Sequence, residues 1–236
     1  MANIEKAIEI EKTYVEARMR GEYPFHLVDK IRECGFEDLE EYFKTKKDHE
    51  FNSLQFEVIE TTPLKAIADI FATAALKKNA LLMAETPSTM VWLGDNSPYN
   101  ETFCKNNNIP VLPIQTKGGT IVHTKGDLSI GICMTKKDGF NTKFMLDGLA
   151  DIFSKYTSKK IEVNGNDILI DGYKVVGSSS YRLGDIYVFV ALASMSEKSQ
   201  LIKEICSKVS DKTPGYIDFM TTEQLREEIK TWLQGQ

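Results

Sequence analysis

Apolar residues recur with two different periods along the chain, and the period changes near residue 50. Before that point they are spaced as on one face of a helix. Pro24 and Gly35 bracket a second helical stretch, and a third is acidic early and basic late, as a helix dipole favours. The pattern predicts a helical N-terminal extension over residues 1–50, in which His26 and His49 are structural or solvated.

From residue 51 to residue 236, short stretches with a period of two alternate with amphipathic helical stretches. The strand-like stretches include SLQFEVIE, TMVWLG, TIVHT, LSIGICMT and DIYVFVALAS. The helical ones include PLKAIADIFATAALKKNA, FNTKFMLDGLADIFSKY and EKSQLIKEICSKV. Many short strands joined by hairpins, with helices between them, predict an α+β domain over 51–236 with a mixed, mostly antiparallel sheet flanked by helices.

Composition limits the classes of function. The chain has 236 residues, of which 42% are hydrophobic, so it is long enough to bury a core. A net charge of −5 argues against a protein that mainly binds nucleic acid or an anionic membrane. No apolar run approaches the roughly 20 residues that cross a bilayer, and no signal peptide opens the chain. We expect a soluble, cytoplasmic protein. Its four cysteines form no zinc or disulfide pattern: Cys34, Cys104, Cys133 and Cys206.

The first stretch that carries candidate chemistry is IQTKGGTIVHTKGDL, residues 114–128. Gly118 and Gly119 allow a ligand to approach the backbone closely. Side-chain donors or cations lie nearby at Lys117, Thr120 and His123. The stretch suits an anionic or nucleotide-like group, but glycines between two strands are also typical of an ordinary hairpin turn. Taken alone, the pattern favours the turn.

The second stretch is NGNDILIDGYKVVGSSS, residues 164–180. Asn164-Gly165 and Asp171-Gly172 are turn dipeptides, so the stretch predicts a hairpin with Lys174 at the start of a strand. Strict alternation places Val176 on the same face of that strand as Lys174. The residues alone leave open whether Lys174 points into water, as edge lysines usually do, or into a pocket.

Together, and in this order, the two stretches resemble the superfamily of lipoate-protein ligases, octanoyl transferases and biotin-protein ligases. The resemblance covers about residues 54–206, and the lysine hairpin is its most specific part. It implies the fold of those ligases, with ATP, Mg²⁺ and lipoate or another acyl group as substrates and cofactors. It also implies an acceptor carrier protein.

The resemblance assigns roles residue by residue. Lys174 matches the lysine that binds the acyl or acyl-adenylate group, which makes it the candidate catalytic residue. Asp167 matches an aspartate that positions the metal and the adenylate phosphate. The other candidate cofactor-binding residues come from the glycine loop and the hairpin: Lys117, Gly118, Gly119, Thr120, His123, Asn166, Asp167, Gly177 and Ser178.

The chain also departs from the family pattern. Ile114 and Gln115 stand where the ligases have two arginines, which leaves Lys117 as the nearby cation. No cysteine falls at either position where the transferases have their nucleophile: the strand VFVALASM has Ser194, and the segment before NDILI has Lys159 and Lys160. Cys133 is better explained as a small apolar core residue.

The sequence therefore favours an enzyme that attaches a lipoyl-type acyl group to a lysine of a carrier protein, through an acyl-adenylate. One alternative is a non-catalytic, ligase-like binding module or regulatory subunit that binds an acyl cofactor or a partner protein. Another is an acyltransferase that uses an already activated donor and so needs no arginine pair. The sequence does not indicate which acyl group, acceptor or oligomeric state applies.

Overall fold

The structure is a computed structural model, and it describes residues 2–52, 56–76, 78–94, 97–113, 119–135, 141–183, 186–207 and 211–234. Contacts within the chain define two compact units. The described part of the first unit is residues 2–52, and the remaining described residues belong to the second. This division lies close to the predicted one between residues 50 and 51, which we keep as the proposed domain boundary.

The first unit consists of three helices, as predicted: α1 (Ile4–Met19), α2 (Leu27–Glu33) and α3 (Leu39–Asn52). Helix α2 is followed by Gly35 with a φ of +94°, a backbone conformation that favours glycine after a helix end. The helices share a small apolar core of Ala7, Ile31, Cys34, Phe36 and Tyr42.

The second unit contains ten strands and five helices among its described residues. Its strands are β1 (Glu57–Glu60), β2 (Ala80–Glu85), β3 (Met90–Leu93), β4 (Val111–Pro113), β5 (Thr120–His123), β6 (Leu128–Thr135), β7 (Ile161–Asn164), β8 (Asp167–Ile170), β9 (Tyr173–Leu183) and β10 (Ile186–Ala193). Its helices are α4 (Pro63–Ala75), α5 (Glu101–Asn106), α6 (Thr142–Ser154), α7 (Ser199–Ile205) and α8 (Thr222–Gln234).

Seven strands form the main sheet, in the order β1-β2-β6-β10-β9-β8-β7. Among the described strands of this sheet, only the β1–β2 pair is parallel, so the prediction of a mixed, mostly antiparallel sheet is confirmed. Helix α4 packs on one face, against an apolar cluster that includes Ile70, Leu82, Cys133 and Val188. Helix α6 covers the opposite face, where Thr142 Oγ1 lies 2.7 Å from Ser180 Oγ.

A second sheet has the order β4-β3-β5. One face packs against α5 and α7 through Val91, Cys104, Val122 and Ile205. Because side chains alternate along a strand, Trp92 of β3 belongs to the other face. It lines a cavity together with residues of α4 and the main sheet.

Strand β2 was missed from the sequence. The pattern predicts a helix over residues 63–80, but α4 ends at Ala75 and β2 begins at Ala80. Five of the six residues of β2 are buried. A strand buried on both faces has no polar alternation, so it cannot be distinguished by period from the end of an apolar helix.

At the C-terminal end, Thr221 and Gln224 form a capping box at the start of α8. Thr221 Oγ1 accepts a hydrogen bond from Gln224 N, and Gln224 Oε1 accepts one from Thr221 N. Among the helices of the described residues, none is long and apolar enough to cross a membrane.

Candidate functional site

Lys174 lies in β9, immediately after a tight turn. Asp171 and Gly172 both have positive φ, 51° and 84°, which confirms the predicted turn dipeptide. Strand β8 pairs Ile168 with Val176 but Leu169 with Lys174, so Val175 is an extra residue in β9. This β-bulge makes strict alternation wrong here: Lys174 shares a face of the sheet with Gly177 instead of with Val176.

The ammonium group of Lys174 is ion-paired. Its Nζ lies 2.8 Å from Asp167 Oδ1, and Asp167 Oδ2 lies 2.6 Å from Nζ of Lys212. The three side chains are exposed by 33%, 14% and 23% for Lys174, Asp167 and Lys212. Two ammonium groups thus share one carboxylate, so the charges of these three side chains sum to +1 at a partly exposed position. That charge favours an anionic ligand.

Gly177 provides the space that Lys174 occupies. A Cβ at position 177 would lie 3.0 Å from Lys174 Cε and 3.1 Å from its Nζ. The next residue, Ser178, donates hydrogen bonds from both N and Oγ to the carbonyl of Asn166, each at 2.8 Å. Asn166 and Ser178 therefore fix the hairpin, and Gly177 leaves room for the ammonium group beside Asp167.

The candidate residues of the glycine loop fall in different environments. Lys117 and Gly118 lie outside the described residues, as do Ile114 and Gln115. Gly119 is exposed, and a Cβ added there would meet nothing within 4 Å. Thr120 begins β5, and its hydroxyl is buried without a hydrogen-bond partner in the described part of the chain.

His123 is fully buried at the end of β5. Its Nδ1 lies 3.4 Å from Thr86 Oγ1, and its ring centroid is 4.3 Å from that of Trp92. Burial, with a smaller contribution from the charge of Lys198, lowers the pKa of His123 to about 3. The imidazole is therefore neutral at physiological pH, so it is not a cation for phosphate.

A buried ion pair between Asp127 and Lys198 lies just after the end of β5. Asp127 Oδ2 accepts hydrogen bonds from the backbone N and the Oγ1 of Thr124, and it is also paired with Lys198. The other oxygen of Asp127 accepts a hydrogen bond from Met195 N at 2.8 Å. Burial lowers the pKa of Lys198, while Asp127 acts in the opposite direction. The pair ties the β5–β6 turn to the segment after β10.

The main sheet connects the lysine hairpin with the apolar cavity. Asp167, Gly177, Leu192, Ser129 and Ala84 pair in succession across β8, β9, β10, β6 and β2. Residues directly paired across antiparallel strands lie on the same face of a sheet. Two of them, Ser129 and Ala84, line the cavity. The ammonium of Lys174, which lies against Gly177, and the cavity are therefore on one face of the sheet.

The cavity itself is small. It has a volume of about 20 Å³, which is room for about one water molecule. Its walls come from α4, the main sheet and Trp92: Thr61, Ala66, Ile70, Leu82, Ala84, Trp92, Ser129, Ile130, Gly131, Val190 and Ala191.

The arrangement does not fit a magnesium ion on Asp167. Both oxygens of Asp167 are occupied by ammonium groups, so a cation would have to displace a lysine. Within the described ranges, no three His, Cys, Asp or Glu side chains come together as a metal site. The described residues therefore provide no magnesium site at Asp167.

The cysteines of the second unit are poor candidates for a nucleophile. Burial raises the pKa of Cys104 and of Cys206, and it raises that of Cys133 to about 11. Cys133 is fully buried in the apolar cluster beneath α4, in agreement with the structural role expected from the sequence. A mechanism that begins with a thiolate has no support from these three groups.

Three residues of this site were not found from the sequence: Lys212, Trp92 and Ser129. Lys212 is 38 positions beyond Lys174 and reaches the hairpin because residues 213–215 pair with the backbone of Lys174. No local pattern signals such a long-range contact. Trp92 and Ser129 look like ordinary strand positions until the two sheets are placed against each other.

The chain matches the sequence model of a known protein family. The family model for the lipoyl protein ligase A/B catalytic domain matches residues 65–226, more than half of the chain. The protein belongs to this family. The resemblance inferred from the glycine loop and the lysine hairpin is thereby confirmed. Among curated proteins, no sequence relative matches the chain significantly.

Solved structures share the fold at low sequence identity. A bi-partite lipoate protein ligase from Thermoplasma acidophilum, described with its E2 lipoyl domain, has a TM-score of 0.61 and 13% identity, and the match covers 76% of this chain and 82% of that one. For P. falciparum LipL1 in complex with lipoate, the TM-score is 0.60, the identity 14%, and the coverage 74% and 60%. For lipoate-protein ligase A bound with ATP, the TM-score is 0.56 and the identity 15%, and the match covers 75% of this chain and 81% of that one. At such identities the likeness establishes a common fold.

Proposed function

We propose that the protein attaches or transfers a lipoyl-type acyl group, from lipoate, octanoate or a similar carboxylate, to a lysine of a carrier protein. The observation that carries the proposal is the shared face of Lys174 and the apolar cavity. A carboxylate beside Lys174 can direct its apolar tail along this face toward Ser129 and Ala84. The two ends of one amphipathic acid thus meet complementary surroundings.

The reaction proposed here has two steps. A carboxylate oxygen of the acid attacks the α-phosphorus of ATP, pyrophosphate leaves, and an acyl-adenylate forms. The neutral amine of the carrier lysine then attacks the acyl carbonyl, the amide bond forms, and AMP leaves as the amine loses a proton to solvent. Both steps place negative charge near the carboxyl group, where the net charge of +1 from Lys174, Asp167 and Lys212 is favourable.

Lys174 would bind the acyl carboxyl or adenylate oxygens and stabilise the charge that develops on them. Asp167 would orient Lys174, and Lys212 would compensate Asp167 when Lys174 turns toward the substrate. Lys212 thereby supplies a cation in a chain that has no arginine at positions 114 and 115. The raised pKa values of Cys104, Cys133 and Cys206 favour direct transfer from the adenylate over a thioester intermediate.

Mass spectrometry of a carrier domain tests this proposal. The domain is incubated with the protein, ATP, Mg²⁺ and a panel of carboxylates, with each component omitted in turn. We expect a mass gain equal to the acyl group minus water, which requires ATP and the protein. A gain from an activated donor without ATP would support a transferase instead. Acid binding without any gain would favour the non-catalytic module.

A further inference from the structure

Trp92 is the largest of the residues that line the cavity. Its indole is 6% exposed and contacts the ring of His123, so the surrounding side chains hold it in place. Five of the other ten lining residues are small: Ala66, Ala84, Ser129, Gly131 and Ala191. Small residues leave space at the helix–sheet interface, and Trp92 is the large side chain that borders it.

The cavity wall beneath α4 is closely packed. A Cβ at Gly131 would lie 2.7 Å from Cδ1 of Ile70, so the end of the Ile70 side chain already occupies the space beside that glycine. Because Trp92 is the largest residue in the lining, a smaller residue at position 92 would enlarge the cavity most.

The apolar cavity also contains two polar atoms that a purely apolar tail would leave unpaired. Trp92 Nε1 and Ser129 Oγ are both buried, and neither has a hydrogen-bond partner in the described part of the chain. Both residues line the cavity. A buried hydrogen-bond donor without a partner costs free energy. A ligand that provides an acceptor for this donor therefore binds more tightly. The indole N–H donates, and the serine hydroxyl donates or accepts.

The distance between hairpin and cavity sets the length of the ligand. Gly177 lies beside the ammonium of Lys174, and Ser129 lies two strands away across the sheet. The distance between these two positions is roughly 10 Å. An extended chain of eight carbons, with bonds of about 1.5 Å, spans roughly 9 Å. An acid of that length places its last carbon near Trp92.

We propose that Trp92 and Ser129 make the distal end of the acyl site narrow and give it two hydrogen-bonding groups. The site then selects a slim chain acid that ends in a hydroxyl or a similar small polar group. It discriminates against an acid that ends in a ring. This inference rests on the proposed function, because it names the acid for the same site. Octanoate, 8-hydroxyoctanoate and lipoate share the carboxylate but differ at the distal end. Comparing their affinities therefore separates the effect of a terminal hydroxyl from the effect of a ring.

Calorimetry with these three acids and the full-length protein tests the inference. We expect 8-hydroxyoctanoate to bind about tenfold more tightly than octanoate, as one gained hydrogen bond allows. We expect lipoate to bind at least about tenfold more weakly than octanoate, because its ring overfills the cavity. Equal affinity of the wild-type protein for all three acids would overturn the inference and leave the proposed function standing.

Variants assign the effects to single groups. Trp92→Ala opens the cavity, so the affinity for lipoate relative to octanoate should rise at least about tenfold. Trp92→Phe and Ser129→Ala each remove a hydrogen-bonding group and should reduce the preference for the hydroxy acid.

Trp232→Phe is the matched control, because Trp232 packs on Gly148, between α6 and α8. It should leave all the ratios unchanged. Unchanged ratios in Trp92→Ala would contradict the role of Trp92, and binding of no acid by any variant would overturn the proposed function as well.

Discussion

The ammonium group of Lys174 lies against the α-carbon of Gly177, where an added Cβ would come within 3.1 Å of Nζ. This contact makes Gly177 a sensitive position for the chemistry. Gly177→Ala should push the ammonium away from Asp167 and lower the transfer rate about tenfold or more, since a small misplacement of a charged group is costly. Lysine side chains are flexible, so we expect the melting temperature to change little. Transfer kinetics and thermal unfolding measured on the same preparation check this. A wild-type transfer rate would contradict the placement of Lys174.

Asp167 and Lys212 can be tested by the charge they contribute. Lys212→Met removes one positive charge and should weaken octanoate binding about tenfold at low salt. Asp167→Asn raises the net charge, so binding should persist, but transfer should fall because Lys174 loses its orienting partner. Calorimetry at two salt concentrations, together with transfer kinetics, separates these outcomes. Lys159→Met is the control, since Lys159 pairs with Asp218 instead. Identical effects from Lys212→Met and Lys159→Met would exclude a specific role for Lys212.

His123 predicts how stability depends on pH. Its pKa of about 3 in the folded protein is below that of an unfolded histidine, near 6.5, so protons bind preferentially to the unfolded chain between these values. The free energy of unfolding should therefore fall as pH drops from about 6.5 toward 3, by at most about 1.4 kcal/mol per pH unit from this residue. Above about pH 6.5 this contribution is constant.

Denaturant unfolding of the wild-type protein and of His123→Phe at several pH values measures the difference in slope. The phenylalanine keeps a ring beside Trp92 but binds no proton, so the variant should lose this part of the pH dependence. His26→Gln, in the first unit, controls for the loss of a histidine. A pH dependence in His123→Phe equal to that of the wild type would show that His123 is not the group responsible.

Cysteine replacement tests the absence of a thiol intermediate. Cys206→Ser should retain the transfer rate, because no step of the proposed mechanism uses its thiol. Cys133→Ala leaves a small cavity beneath α4, so it should lower the melting temperature without abolishing transfer. Trapping of a thioester on either cysteine, detected as an acylated enzyme peptide, would contradict direct transfer from the adenylate.

The predictions from sequence agree best with the structure where residues close together in the chain determine the local conformation. The Asp171-Gly172 turn, the three N-terminal helices and the hairpin that carries Lys174 follow from residues close together in the chain. The resemblance to lipoate ligases depends on the same short stretches. Family membership was therefore accessible before any coordinates.

The parts that sequence missed depend on distant contacts. The bulge at Val175 reverses the face of Lys174, and it arises from pairing with β8 that no single-strand pattern encodes. Lys212 reaches Asp167 through a loop that pairs with β9, and Trp92 meets the cavity only because a second sheet covers the first. These residues could be assigned to one candidate site only once the fold was known.

The central claim is that the Lys174 ammonium binds the acyl head group, and the transfer rate of Lys174→Ala tests it most directly. Lys160→Ala is the matched control, since Lys160 is in the same part of the chain with its side chain 78% exposed. Both variants should fold. We predict a loss of about 100-fold or more for Lys174→Ala, comparable with removal of one oxyanion donor, and a near-normal rate for Lys160→Ala. A Lys174→Ala protein that acylates its carrier at the wild-type rate would contradict the account.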